Sequence, residues 1–115
     1  MSSAVDERSF QDSVAAVAQL AGWRVVHFRP ARRADGSWRT PGAYDAAGFP
    51  DLTLARAPRL VYAELKSEHG RLSDAQKEWL ALLAQVPGVE TYLWRPSDWP
   101  ALTATLTSET GWRAA

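Results

Sequence analysis

The sequence predicts an α/β domain with a mixed central sheet flanked by helices. Three observations carry this reading. An apolar stripe at helical spacing lies near the N-terminus, short β-branched and aromatic runs follow it, and a second helix start interrupts those runs. Helices and strands interleaved in this way pack as layers of helix on sheet. The 115 residues are 46% hydrophobic and include six tryptophans, enough for one core, so residues 1–115 are expected to form a single domain.

Each element has its own local reason. Ser2 or Ser3 can cap a first helix, with Asp6 and Glu7 in the first turn, where the helix dipole favours negative charge. Phe10, Val14, Val17, Ala18 and Ala21 follow at helical spacing, and Gly22 is placed to stop the helix. Trp23 to Phe28 (WRVVHF) is β-branched and aromatic and reads as a strand. Between Arg29 and Gly48 the chain holds Pro30, Gly36, Pro41, Gly42 and Gly48, and no regular element is expected there. A loop of about 20 residues is unusual in a small domain and tends to carry function. Asp51 to Arg56 (DLTLAR) and Leu60 to Lys66 (LVYAELK) are strands, and the short Ala57-Pro58 turn between them calls for an antiparallel hairpin. Gly70 breaks the chain, and Ser73-x-x-Gln76 is a capping box opening a helix that runs to about Gln85. Trp79, Leu80, Leu82 and Leu83 supply its apolar face, and Pro87-Gly88 ends it. Glu90 to Trp94 (ETYLW) is a further strand, and Ser97 can cap a short last helix holding Trp99, Leu102 and Leu106. The expected order is α-β-β-β-α-β-α.

Composition removes several kinds of chemistry. There is no cysteine, so disulfides, thiolate metal sites and cysteine nucleophiles are excluded. No apolar signal core opens the chain and no apolar run could span a bilayer, so a soluble, cytoplasmic protein without a membrane partner is expected. Thirteen basic and thirteen acidic residues cancel. Their distribution is uneven, however. Arg24, Arg29, Arg32, Arg33 and Arg39 fall within one stretch whose only acid is Asp35. Such a run is either a solvated loop or an arm that contacts phosphates.

The hairpin concentrates the remaining chemistry. Side chains alternate along a strand, so Glu64 and Lys66 share a face while Val61, Ala63 and Leu65 point the other way, toward a core. Pro50 has no N–H and suits a strand start, which sets Asp51 at the head of the partner strand. A hairpin centred on Ala57-Pro58 then brings Asp51 beside Glu64 to Lys66. Two adjacent carboxylates repel unless a cation compensates them. Oxygen ligands without sulfur suit Mg²⁺ or Mn²⁺. Lys66 can hold a scissile phosphate or help position and deprotonate water. The bland reading of Glu64-x-Lys66 is an ion-paired strand face, which is common and weak.

Further segments join these. Gly22 to Phe28 (GWRVVHF), Gly48 to Leu52 (GFPDL), Ala63 to Lys66 (AELK), Leu72 to Leu80 (LSDAQKEWL) and Tyr92 to Trp99 (YLWRPSDW) together resemble the virus-type replication-repair nuclease (VRR-NUC) domain of the PD-(D/E)XK nuclease superfamily. The resemblance runs from roughly Glu7 to Trp99. It implies a restriction-endonuclease-like core and a Mg²⁺- or Mn²⁺-dependent endonuclease acting on DNA, selective for branched or Holliday-junction-like structures. Asp51 and Glu64 would be metal ligands, with the backbone carbonyl of Leu65 completing the set, and Lys66 would be the catalytic lysine. Gln76 would orient Lys66 or the phosphate, or serve only as a helix cap. The family's first-helix glutamate is best matched by Glu7, with Asp6 as a rival and a first-turn charge as the plain alternative. His27 falls near a histidine common in such domains, unless it is structural. With Arg29, Arg32, Arg33 and Arg39 it would contact DNA. Single-domain members resemble dimeric junction resolvases, so a homodimer is expected. Trp94, Trp99, Leu102 and Leu106 either cover the core edge or form an apolar dimer patch. The alternative function is a non-catalytic DNA-binding or accessory module on the same fold. A protein bearing the motif by chance is a third reading.

Overall fold

The computed structural model describes residues 5–28, 31–32, 38–39 and 44–109. Helix α1 (Glu7–Leu20) begins where the Asp6 carboxylate accepts the Ser9 N–H at 2.7 Å. Asp6 is therefore the cap, not a first-turn residue. The caps expected at Ser2 or Ser3 lie outside the described residues. Gly22 follows the helix with φ +94°, a conformation that a glycine adopts without steric cost.

A four-stranded mixed sheet forms the centre, in the order β1 (Arg24–His27), β4 (Leu52–Arg56), β5 (Arg59–Leu65), β6 (Val89–Trp94). The first three strands are antiparallel and β6 runs parallel to β5. Helix α2 (Asp74–Ala84) makes the crossover between β5 and β6, as a parallel connection requires. A 3₁₀ turn (Pro96–Asp98) leads into α3 (Trp99–Thr107). Ser97 does not cap that helix. Its N–H and hydroxyl both donate to the Glu68 carboxylate, at 3.0 and 2.6 Å.

The sequence predicts no regular element over residues 29–48, and there the structure differs. Two short strands, β2 (Ala31–Arg32) and β3 (Trp38–Arg39), pair antiparallel as a separate ribbon. Each is two residues long, too short for an alternating pattern to show. The one local hint is the sequence Asp35-Gly36 between them, a dipeptide favoured in tight hairpin turns.

The two faces of the sheet differ. On one face Leu52, Leu54, Val61, Ala63, Leu65 and Trp94 meet Phe10, Val14 and Ala18 of α1, Leu102 and Leu106 of α3, and Trp23, all buried. Trp99 packs against this cluster. Trp94, Trp99, Leu102 and Leu106 thus build the chain's own core, and the apolar patch offered for a dimer is not free. The other face carries Tyr62 and Glu64 and is covered by α2 and by the Phe49 ring. Phe49 makes edge-on contacts with Tyr62 (5.6 Å between centroids) and Trp79 (5.0 Å). Trp79 also donates from Nε1 to the carbonyl of Asp45 at 3.0 Å. Leu82, read from sequence as part of the apolar face of α2, is 55% exposed. Only the Ala75, Gln76, Trp79, Leu80 and Leu83 side of α2 is partly covered. Gly48 lets this layer close. Its φ is +81°, and a Cβ there would lie 2.5 Å from the carbonyl carbon of Ala75.

Candidate active site

The hairpin register places the acidic pair. Arg56 pairs with Arg59 at the turn and Leu52 with Ala63 at the far end, so the next position sets Asp51 across from Glu64. Among the described residues Asp51 is held by the Leu65 N–H, which donates to Oδ2 at 2.9 Å. Glu64 is 1% exposed. Its Oε2 accepts from Gln76 Nε2 at 2.9 Å, and its Oε1 is buried with no hydrogen-bond partner among the described residues. Burial first, then the neighbouring Asp51 carboxylate, pushes the Glu64 carboxyl up to about 8, against a smaller opposing pull from Lys66. A buried carboxylate with one bare oxygen beside a second carboxylate is costly as it stands. A divalent cation would relieve both the repulsion and the vacancy.

Gln76 caps its helix and also reaches Glu64, rather than Lys66. Its Oε1 accepts from the Ser73 N–H at 2.9 Å while its own N–H donates to Ser73 Oγ at 3.1 Å, the reciprocal bonds of a capping box. The remaining end of the amide, Nε2, is then aimed at Glu64. Lys66 follows Glu64 on the same face. Its N–H donates to the Trp94 carbonyl at 3.1 Å, and its ammonium forms no ion pair among the described residues. The segment beyond Lys66 is held by Arg95, whose Nη1 donates to the carbonyls of Ser67 (2.7 Å), Glu68 (3.2 Å) and Gly70 (2.7 Å).

The donor set fits a hard cation. It consists of two carboxylates, Asp51 and Glu64, with the Leu65 backbone between Glu64 and Lys66, and all available ligand atoms are oxygen. Among the described residues no cluster of three or more His, Asp or Glu side chains forms. Glu7 is exposed on α1, and Asp6 is engaged as the helix cap, so neither joins the acidic pair in this structure. The polar residue of α1 that turns inward is Gln11. It is buried, and its Nε2 lies 2.9 Å from each ring nitrogen of His27. Sequence reading passed over Gln11, although it precedes Val14 by three and Ala18 by seven residues and so belongs to the inward stripe. His27 ends β1 opposite Leu52, one position from Asp51, but on the core face. Of the arginines expected to contact DNA, Arg29 and Arg33 lie outside the described residues. Arg32 and Arg39 are placed only as paired backbone in β2 and β3.

A mixed sheet flanked by helices, with Asp51, Glu64 and Lys66 gathered at the open end of its central hairpin, is compatible with the restriction-endonuclease-like fold. The match to known families narrows this. The model of the VRR-NUC domain matches residues 44–95, the span holding Asp51, Glu64, Lys66, Gln76 and Arg95. That segment is similar to the VRR-NUC domain, a nuclease family. No curated protein and no solved structure gives a significant match.

Proposed function

We propose that the domain is a Mg²⁺- or Mn²⁺-dependent endonuclease that hydrolyses DNA phosphodiester bonds. The observation that carries this is the buried Oε1 of Glu64 beside Asp51, without a hydrogen-bond partner among the described residues, with Lys66 two residues on. A bound cation would be held by Asp51, Glu64 and the carbonyl of Leu65, and would supply Lewis-acid polarisation of the phosphate and neutralisation of developing charge. The chain's own groups do the rest. Leu65 N–H holds Oδ2 of Asp51 in place beside Glu64. Gln76 fixes the plane of the Glu64 carboxylate by its bond to Oε2 and so orients Oε1. Lys66 binds a non-bridging phosphate oxygen, or holds the attacking water and takes up the proton that the water loses, the same carboxylates then stabilising the ammonium.

Branched DNA is the substrate class we favour. A domain with one site cuts one strand at a time, and a two-fold dimer is the simplest way to cut two. The test is cleavage of labelled duplex, single strand, flap and four-way junction with Mg²⁺ or Mn²⁺, with mass measured by light scattering. Metal-stimulated cleavage that Glu64→Gln removes is expected. No cleavage of any substrate with either metal defeats the nuclease reading, and equal cleavage of linear duplex and junction by a monomer defeats only the branched-DNA and dimer readings.

A further inference from the structure

Phe28 follows β1 and its ring is 50% exposed, unusual for a phenylalanine beside a buried acidic site. The register explains where it stands. His27 pairs with Leu52, so the next step sets Phe28 beside Asp51, in a neighbouring strand about 4.8 Å away. Alternation puts Phe28 on the face of Tyr62 and Glu64, opposite His27 and the core. Its support is a chain of edge-on rings. Phe28 meets Phe49 at 6.2 Å and 73°, Phe49 meets Tyr62 and Trp79, and Trp79 is anchored on the Asp45 carbonyl. No ring lies flat on Phe28 among the described residues. Helix α2 lies over β6, and on the β1 side Val26 is also exposed. The chain then runs from Phe28 straight into Arg29, Arg32 and Arg33.

We propose that Phe28 is a stacking platform for one unpaired nucleobase of the DNA strand whose phosphate lies at Asp51, Glu64 and Lys66. The proposal rests on the nuclease reading for its substrate and adds the determinant of its selectivity. A ring held at its edge and open to solvent presents a flat apolar surface. A base inside a duplex is already stacked and gains nothing from it, whereas a base splayed out at a junction, flap or single strand does. Phosphate and base of one nucleotide then contact neighbouring positions of the sheet, which fixes the strand relative to the catalytic lysine.

The experiment reads binding apart from cleavage. The full chain is titrated, with Ca²⁺ replacing Mg²⁺ and DNA integrity checked on a denaturing gel, into a flap carrying 2-aminopurine at its unpaired nucleotide and into a matched duplex. Phe28→Ala should raise Kd for the flap about tenfold and abolish the change in 2-aminopurine fluorescence. Duplex affinity should stay within about twofold. Phe28→Tyr should restore both readouts, and Phe28→Leu, which keeps the apolar contact with Phe49 but has no aromatic face, should behave as Phe28→Ala. Equal losses on flap and duplex, wild-type behaviour of Phe28→Leu, or a Phe28→Ala effect confined to the mass in light scattering would each overturn the platform. If these variants match the parent while Mg²⁺ still drives cleavage, the platform fails and the nuclease reading stands. Absence of cleavage with intact, Phe28-dependent flap binding does the reverse.

Discussion

Two glutamates are buried in neighbouring strands of this sheet, on opposite faces, and the chain treats them in opposite ways. Glu90 of β6 is clasped. Arg59 donates to both of its oxygens, from Nε and Nη2, each at 2.7 Å, and the Tyr92 hydroxyl donates at 2.7 Å. Arg59 goes on to the carbonyls of Thr105 (3.0 Å) and Ser108 (2.9 Å) at the end of α3. Its guanidinium lies 4.8 Å from the Trp23 ring, as does that of Arg56, which itself donates to Ala21, Leu106 and Ser108. Every charge there has a partner, and the carbonyls at the end of α3 find donors. Glu64 of β5 has one neutral donor, one bare oxygen and an acidic neighbour. The difference separates structure from chemistry. A satisfied buried carboxylate ties elements together, whereas an unsatisfied one is what the proposed cation site calls for.

The sharpest way to break this contrast is to compare activities. Glu64→Gln and Lys66→Ala should each lower single-turnover cleavage by about 10²–10³-fold while the fold persists. A Glu90→Gln protein that stays folded should cut at close to the parental rate. Near-parental turnover by folded Lys66→Ala would remove that residue from the mechanism.

Stability should move the other way. Arg59→Ala, which strands a buried carboxylate, should cost about 3–5 kcal/mol in urea denaturation. Replacing the pair together, Arg59→Met with Glu90→Leu, should recover most of the loss. Glu64→Gln should instead raise stability without metal, because a neutral amide avoids the cost of burying or protonating that carboxylate beside Asp51, and should reduce the stabilisation that Mg²⁺ gives the parent. Parental stabilisation by Mg²⁺ in Glu64→Gln would show that Glu64 is no ligand.

The pH dependence discriminates further. The Glu64 carboxyl is raised in the folded state from 4.5 to about 8, so folding takes up a proton between those values. Its stabilising contribution is full below pH 4.5, is lost as pH rises toward about 8 at up to ~1.4 kcal/mol per pH unit, and changes no further above that. Thermal melts of metal-free protein should show this decline in the parent and a flatter profile in Glu64→Gln. An identical decline in both would assign it to another group.

The smallest effect concerns the arginines of the basic stretch. Replacing Arg29, Arg32 and Arg33 with Ala should flatten the salt dependence of DNA binding. Each lost phosphate contact lowers the log–log slope by roughly 0.9. An unaltered slope would make that stretch a solvated loop.

The two glutamates were not equally legible in the sequence. Asp51 and Glu64 belong to one hairpin, so period-two alternation, Pro50 and the Ala57-Pro58 turn suffice to place them together. Glu90 reads only as the start of a strand, because its partner Arg59 is 31 residues away across a parallel crossover, and no local pattern reports such a pairing. The same reason hides Arg95, whose three acceptors lie 25 to 28 residues upstream. The fold class followed from helical and strand periodicity, whereas β2 and β3 are too short to have any. Gln76 was visible as a cap because Ser73 is local, but its bond to Glu64 required the register of two elements. Glu7 and Gln11 lie one turn apart on the same side of α1, so periodicity alone does not tell that Glu7 at the helix start is exposed and Gln11 buried.

Gly48 has a consequence for how mutational data on this protein will look. It contributes no side chain to the acidic site, yet any larger residue there collides with Ala75, the neighbour of Gln76. In a saturation scan scored by cleavage, position 48 should therefore appear as intolerant as Asp51 or Lys66, while a scan scored by abundance should rank it apart from them. A column of deleterious scores at Gly48 would mark spacing between two layers and not a reacting group.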